Sequence, residues 1–464
     1  MLKAASLAAC LLSLVCPSDL HGKSPVASAA GAKVVRKAHR PHVLMISLDG
    51  MRPEYVLQAE RYGLTLPTLR RFLIDGTYAD GVRGVAPTLT FPSHTTLMTG
   101  VPPAEHGIVS NTVFDPMLEH RGEWYWYFRL IKADTLYQVA SRAGLTTAAI
   151  GWPVTVGAPI DYLLAEFGQA KDVPLPATDT TRPADLRERL AVNLPAAADG
   201  DDRKSAWTTK IIETYNPNLV LVHLDDLDHE QHAHGPFSPE ARRAIEKMDG
   251  QAGRMIDAEL KKNPDATIVI VSDHGFARVD HRVALNSLFV REGLIRLTPT
   301  PVGSKVAVSG WDAQAWEAGG SAAIILRDPF DADLRLRVGT LLATAAADPA
   351  YGINRVLDHD ALVAAGGVAS ASFLIDFKPG WSMGGGYRGP ILTDAPSVGA
   401  HGYLPDHPDM RAALFMMGRS VARGQDLGLV DMRQVAPTVA QMLGLTLPAA
   451  RLPALSWKRR RAAR

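Results

Sequence analysis

Three apolar runs in this chain each lead into an aspartate. Val43–Leu48 ends at Asp49, Leu219–Leu224 at Asp225, and Thr267–Ser272 at Asp273. Runs of about six residues, mostly apolar and without polar alternation, predict strands buried on both faces. Helical patterns lie between them, from Pro67 to Asp75, from Thr135 to Ala143, and over a long amphipathic stretch from about Pro239 to Lys262. Thr146–Ile150 and Ala412–Met417 read as further strands, and Asp431–Leu443 as a closing helix. Such β-then-α alternation predicts an α/β fold, with a mostly parallel central sheet flanked by helices. In that sheet the three aspartates share the carboxyl edge, where open α/β folds place their ligands. A single aspartate there could be a helix N-cap. Three of them, with His274 directly after the third, point to a metal site.

The chain has 464 residues and is 47% hydrophobic, enough to bury a core larger than one ordinary domain of ~150 residues. Residues 281–396 have another texture: glycine pairs, alanine-rich pieces and shorter strand signals. They read as an inserted α+β cap, with the catalytic core formed by 42–280 and 397–448. Lys+Arg is 49 against Asp+Glu 48, a net charge of +1, so no basic surface predicts binding to a nucleic-acid duplex. The two cysteines, Cys10 and Cys16, exclude a disulfide-framed fold and a cysteine zinc site. They fall in a leader: Lys3 precedes an apolar run from Ala4 to Cys16, and Ala27-Ser28-Ala29 supplies a small-residue cleavage pattern. The reading is a signal peptide over 1–29, a polar lead over 30–41, and an exported, periplasmic or secreted protein. The alternatives are lipidation at Cys16 and an ordinary N-terminal helix. No later segment has the length and apolarity of a transmembrane span. Residues 449–464 form a basic tail, with Lys458–Arg461 read as solvated rather than as a membrane or polyanion contact.

Within the segment Asp225–Pro236, Asp228 and His232 lie four apart, so a helix would project both from one face. Zinc accepts a carboxylate with a neutral imidazole. Spacing alone leaves His229 and His234 as competitors, and a polar surface loop as the bland alternative. His401 sits in Gly399-Ala-His-Gly-Tyr403, where the glycines would let backbone approach a ligand. A nucleophile is offered by Thr90, Ser93, Thr95 and Thr96, bunched at a helix start that favours an anion such as phosphate. Simple helix capping would explain them too if no metal ligands lay nearby.

The ordered set Ser47–Pro53, Pro87–His94, His106–Asn111, Asp228–His232 followed by Gly235-Pro236, Ser272–Gly275 and His401–Tyr403 resembles the nucleotide pyrophosphatase/phosphodiesterase branch of the alkaline phosphatase superfamily. The resemblance spans about residues 42–445 and is weakest across the cap. It implies an alkaline-phosphatase-like core and two zinc ions, one held by Asp49, Thr90, Asp273 and His274, the other by Asp228, His232 and His401. It makes Thr90 the nucleophile. Asn111 would hydrogen-bond a non-bridging phosphate oxygen together with the backbone N–H after Thr90. Phe91 would stack on the base of a nucleotide, with Trp152 or Tyr162 completing the slot, although Trp152–Asp185 departs from the family pattern. The region also lacks the cysteines of animal members, as in a bacterial-type minimal enzyme. His229, His234 and Asp225 are left outside the ligand set.

The implied mechanism is in-line attack by a zinc-activated Thr90 alkoxide, followed by hydrolysis of a phosphothreonine. No arginine matches the one that marks monoesterases of the superfamily, so small-molecule diesters and pyrophosphates of nucleotides are the expected substrates. The rivals are a phosphomonoesterase, a phosphonate hydrolase, a choline-lipid phosphodiesterase, and, outside enzymes, a non-catalytic zinc-stabilised exported binding protein. A sulfatase is disfavoured, because no Cys/Ser-x-Pro-x-Arg setting surrounds Thr90.

Overall fold

A computed structural model of the chain describes residues 40–119, 123–168, 177–193, 200–301 and 304–458. The expected leader over 1–29, with Cys10 and Cys16, and the last residues of the basic tail lie outside them. Among the described residues, nine strands form the main sheet. Their order is Gln425–Asp426, Gly76–Tyr78, Leu414–Met417, Thr267–Val271, Val43–Leu48, Leu219–Leu224, Thr147–Ile150, Tyr162–Leu164 and Thr181–Arg182. The four strands from Thr267–Val271 to Thr147–Ile150 are mutually parallel and buried throughout. Leu414–Met417 flanks them antiparallel on one side; on the other, Tyr162–Leu164 continues them parallel and Thr181–Arg182 pairs antiparallel with it. Leu48 lies opposite Leu224 and Ser47 opposite Val271. Asp49, Asp225 and Asp273 therefore emerge at one level of the carboxyl edge.

Alternation along the strands divides the core into two layers. Leu44, Ile46, Val220, Val222, Ile268 and Ile270 face the helix Pro239–Lys262, whose Ala241, Ile245, Met248, Ala252 and Met255 recur at helical spacing. Met45, Leu221, Val269 and Val271 face the other way, onto the helices Thr90–Thr99 and Val435–Met442. The Ser238 side chain caps the long helix, and Thr135 forms a capping box with Gln138 at the start of Leu136–Arg142. Strands of two or three residues carry no readable period, and the polar helix Gly200–Tyr215 shows no clear apolar stripe; neither stands out in the sequence.

Much of the glycine-rich stretch builds sheets of its own. Ala313–Glu317, Ser321–Leu326, Phe373–Phe377 and Ile353–Asp358 form an antiparallel sheet, with helix Ala332–Ala347 burying Val338, Leu342 and Ala345 in the same core. A second sheet joins Gly380–Met383, Ala277–Val283 and Leu392–Ala400, pairing Ala277 with Ala400. The expected boundaries at 281 and 396 both fall inside this ribbon. It starts three residues after His274 and ends at the residue before His401, so this sheet is continuous with the edge that carries Asp273 and His274. Strand pairing between segments more than a hundred residues apart leaves no local signal at either boundary.

Candidate active site

The sheet edge brings the candidate ligands together. His274 Nε2 lies 3.1 Å from Asp273 Oδ2, 3.4 Å from Asp49 Oδ1 and 3.4 Å from Thr90 Oγ1. Four ligands around one tetrahedral zinc, at about 2.0–2.1 Å each, stand roughly 3.3 Å from one another. Asp228, His274 and His401 make a second group that shares His274 with the first. His232 Nε2 is 3.5 Å from Asp228 Oδ2, and His401 Nε2 is 3.8 Å from Asp228 Oδ1. The pair at four-residue spacing lies on one helix, Asp226–His234. Its rotation decides among the histidines: His234 turns to Glu230, and His229 bonds back to the Asp225 carbonyl. Asp225, at the same sheet edge, is bound to Lys204 Nζ at 2.8 Å instead.

The candidate histidines, Asp49 and Asp273 are each held by one atom and offer another. The Nδ1–H groups of His401, His232 and His274 donate to the carbonyls of Thr88 (3.0 Å), Gly399 (3.2 Å) and Gly275 (3.1 Å). Only a ring N–H can bond a carbonyl, so in the neutral imidazole Nε2 is the nitrogen that keeps its lone pair. Asp273 Oδ1 accepts from the Gly50 N–H, and Asp49 Oδ2 from His223 Nε2 at 2.8 Å. The remaining oxygens, Asp49 Oδ1, Asp273 Oδ2 and Asp228 Oδ1, are buried without a hydrogen-bond partner. Orphaned buried carboxylate oxygens cost free energy unless a cation meets them, and an oxygen-and-imidazole donor set suits zinc. The residues fit a metal.

Electrostatics agree. Burial, then the neighbouring Asp273 and Asp228 carboxylates, holds Asp49 well above the usual carboxylate range. Burial, with Asp273 adding to it, pushes Asp228 up to about 6. Burial takes His274 down to about 3, and burial plus the adjacent imidazoles takes His401 well below its ordinary value. Carboxylates that resist charge beside imidazoles that resist protonation mark a site built for a cation from outside the chain.

Thr90 opens the helix Thr90–Thr99 and is buried. The rival hydroxyls are inside that helix: Thr95 donates to the Phe91 carbonyl and Thr96 to that of Val101, while Ser93 Oγ is buried without a hydrogen-bond partner. His94, one turn on, donates from Nδ1 to the Thr90 carbonyl and accepts from Ser47 Oγ at 2.9 Å. It ties the Thr90 backbone to the strand that leads into Asp49. The Phe91 N–H donates to Asn111 Oδ1 at 2.9 Å. The two donors assigned by resemblance to one phosphate oxygen thus bond each other, because Asn111 caps the helix start.

The expected aromatic slot is rearranged. Phe91 is fully buried, with Trp124 and Trp126 edge-on to it at 5.1 and 5.4 Å between ring centroids. Those two indoles stack on each other. A chain reversal that pairs Thr112 with Trp124 brings them back over Phe91. Trp152 does not complete a slot; it is fully buried edge-on to His94. Tyr162 stacks on Tyr215, in the layer on the other face of the sheet from Phe91. The glycines around His401 serve chain packing rather than ligand approach: a Cβ on Gly402 would lie 1.5 Å from the Ala318 carbonyl, and one on Gly399 2.5 Å from that of Gln231.

Sequence reasoning missed His223, His94 and the Trp124–Trp126 pair. His223 was visible as an imidazole inside an apolar strand run. Burial alone would lower it, but Asp49 and Glu166 raise it well above its ordinary range.

A mixed sheet whose parallel centre gathers these acids and imidazoles at its carboxyl edge, beside a helix-start hydroxyl, defines an α/β protein with a candidate metal centre. The sequence matches the family "Type I phosphodiesterase / nucleotide pyrophosphatase" over residues 43–404, and the chain belongs to that family. It is 27% identical over 247 residues to human ectonucleotide pyrophosphatase/phosphodiesterase family member 1, covering 51% of this chain and 23% of that protein. It is 29% identical over 274 residues to an uncharacterized pyrophosphatase/phosphodiesterase of Schizosaccharomyces pombe, covering 56% of this chain and 50% of that one. The match therefore spans half or less of these curated relatives. Among solved structures, murine ectonucleotide pyrophosphatase/phosphodiesterase 5, an inactive form in complex with AMP, superposes with a TM-score of 0.62 at 19% identity, over 89% of this chain and 97% of that chain. The human protein of that name gives 0.62 at 20%, over 89% and 96%. These structures share the fold.

Proposed function

We propose that this protein is an exported hydrolase that cleaves phosphodiester or pyrophosphate bonds of nucleotides, with Thr90 as nucleophile and two zinc ions as cofactors. The observation that carries this reading is the pattern of anchored and free ligand atoms, with Thr90 Oγ1 3.4 Å from the free Nε2 of His274. Asp49, Thr90, Asp273 and His274 would hold one ion, and Asp228, His232 and His401 the other. When bound, the ions would acidify the Thr90 hydroxyl and balance charge on the entering and leaving oxygens.

The chain's own residues do the rest. Thr90 Oγ1 forms a bond to phosphorus as the bond to the leaving oxygen breaks, and water then cleaves the phosphothreonine, releasing a nucleoside monophosphate and restoring the hydroxyl. Asn111, its Oδ1 committed to the helix start, has its amide N–H groups for a non-bridging oxygen. The stacked Trp124–Trp126 pair, rather than an open face of Phe91, offers the aromatic surface for a base. Export rests on the sequence of residues 1–29; among the described residues no helix is long and apolar enough to cross a membrane.

The test is hydrolysis of p-nitrophenyl thymidine 5′-monophosphate against p-nitrophenyl phosphate, with zinc and after chelation. A strong, chelator-sensitive preference for the diester is expected. Preference for the monoester would overturn the substrate reading, and inactivity on both would point to a lipid or phosphonate substrate.

A further inference from the structure

The helix Asp226–His234 carries two of the ligands proposed above, Asp228 and His232, yet its own N-cap residue, Asp225, makes no side-chain cap. A residue from another helix does this work. Asp201, fully buried at the start of Gly200–Tyr215, accepts from the backbone N–H groups of both Asp225 and Asp226 through Oδ2, at 2.9 Å each. Its Oδ1 holds Lys204 Nζ at 3.0 Å, and the same Nζ reaches Asp225 Oδ1 at 2.8 Å. One carboxylate and one ammonium thus fix both the backbone and the side chain at the entrance to the ligand helix. Neither touches Asp49, Asp273 or His274. A helix start whose N–H groups are satisfied from a distant element has its position set by that element.

We propose that Asp201 is a positioning residue, which with Lys204 sets the place of Asp228 and His232 and so the affinity for one of the two metal ions. This rests on the two-zinc reading. The carboxylate of Asp228 and the imidazole of His232 must arrive together at one ion, and groups that orient ligands typically change metal affinity roughly 10- to 100-fold when removed. The prediction is selective: the ion held by Asp228 and His232 weakens, while the one held by Asp49 and Asp273 does not.

The experiment measures the two zinc dissociation constants of the full chain by competition with a chelator of known affinity. Asp228→Asn and Asp49→Asn identify which constant belongs to which ion. Asp201→Ala is expected to weaken the Asp228 ion roughly 10- to 100-fold, to leave the other unchanged, and to regain turnover in excess zinc. If both constants are unchanged, or both weaken alike, the proposal is overturned and Asp201 is only structural. If Asp201→Ala does not fold, Asp201→Leu, which removes both the cap oxygen and the Lys204 partner while filling the buried space, decides by the same contrast between the two ions. Wild-type protein that binds no zinc would instead overturn the two-zinc reading.

Discussion

The imidazole rings of His274 and His401 lie face to face, centroids 3.7 Å apart and 10° from parallel. Two protonated rings would repel strongly at that separation in a buried setting. Burial keeps both far below their ordinary range, and each donates Nδ1–H to a backbone carbonyl. The stack is therefore a pair of neutral rings whose lone pairs serve one small volume, beside carboxylates from two other elements. Four predictions follow from that arrangement and from the core beneath it.

Thr90→Ala should reduce turnover of p-nitrophenyl thymidine 5′-monophosphate by roughly a thousandfold or more, as loss of a covalent nucleophile does. The Thr90 hydroxyl's hydrogen-bond partner is His274 Nε2, at a long 3.4 Å, so the melting temperature should hardly move. Steady-state kinetics beside a thermal melt separates the two effects. Turnover that survives the substitution would remove Thr90 from the mechanism.

Supplying zinc to chelated protein should raise its stability, because an ion that binds only the folded state adds about 4 kcal/mol at a concentration a thousand times its dissociation constant. The orphaned oxygens of Asp49, Asp228 and Asp273 are the reason to expect a large response. Calorimetry with and without zinc reads it. Asp49→Asn should blunt the gain, and an unchanged melting temperature on adding zinc would contradict a folded-state metal centre.

Glu259 supplies a pH prediction away from the site. It is buried, its Oε2 has no partner, and Asn263 Nδ2 donates to its Oε1. Burial raises it from 4.5 to about 7. A carboxyl raised on folding binds more protons in the folded state, so its cost appears as pH rises through that interval and is complete above about 7. The full cost is on the order of 3 kcal/mol. Glu259→Gln, which keeps an acceptor for Asn263, should be more stable than the parent at pH 8 and nearly equal to it at pH 5. Urea denaturation at the two pH values measures the difference; an equal effect at both would mean that Glu259 does not titrate in this way.

Trp124→Ala should weaken use of a nucleotide diester by about tenfold in kcat/KM, within the range for removing a base-stacking indole. Bis-p-nitrophenyl phosphate, which has no nucleobase, gives the reference rate. A loss of the same size on both substrates would place Trp124 in the support of Phe91 rather than against the base.

What the sequence determined by itself was whatever local chemistry repeats. Six-residue apolar runs rich in β-branched residues and too short for a helix read as buried strands, and the 24 residues from Pro239 to Lys262 carry a helical stripe from their capping serine to their last basic turn. The strand-end aspartates, the spacing of Asp228 and His232, and the hydroxyl at a helix start pointed to the centre for the same reason: each is a short-range pattern. Tertiary structure decided what depends on partners far along the chain. Only the packed helix turns His232 toward Asp228 and the Gly399 carbonyl and His229 back to the Asp225 carbonyl, and only the sheet puts His223 against Asp49, 174 residues away. Only the Thr112–Trp124 reversal covers Phe91 with indoles and leaves Trp152 in the core. Asp201, whose role comes from backbone groups 24 residues further on, had no sequence signature, because a remote cap is created by packing and not by composition.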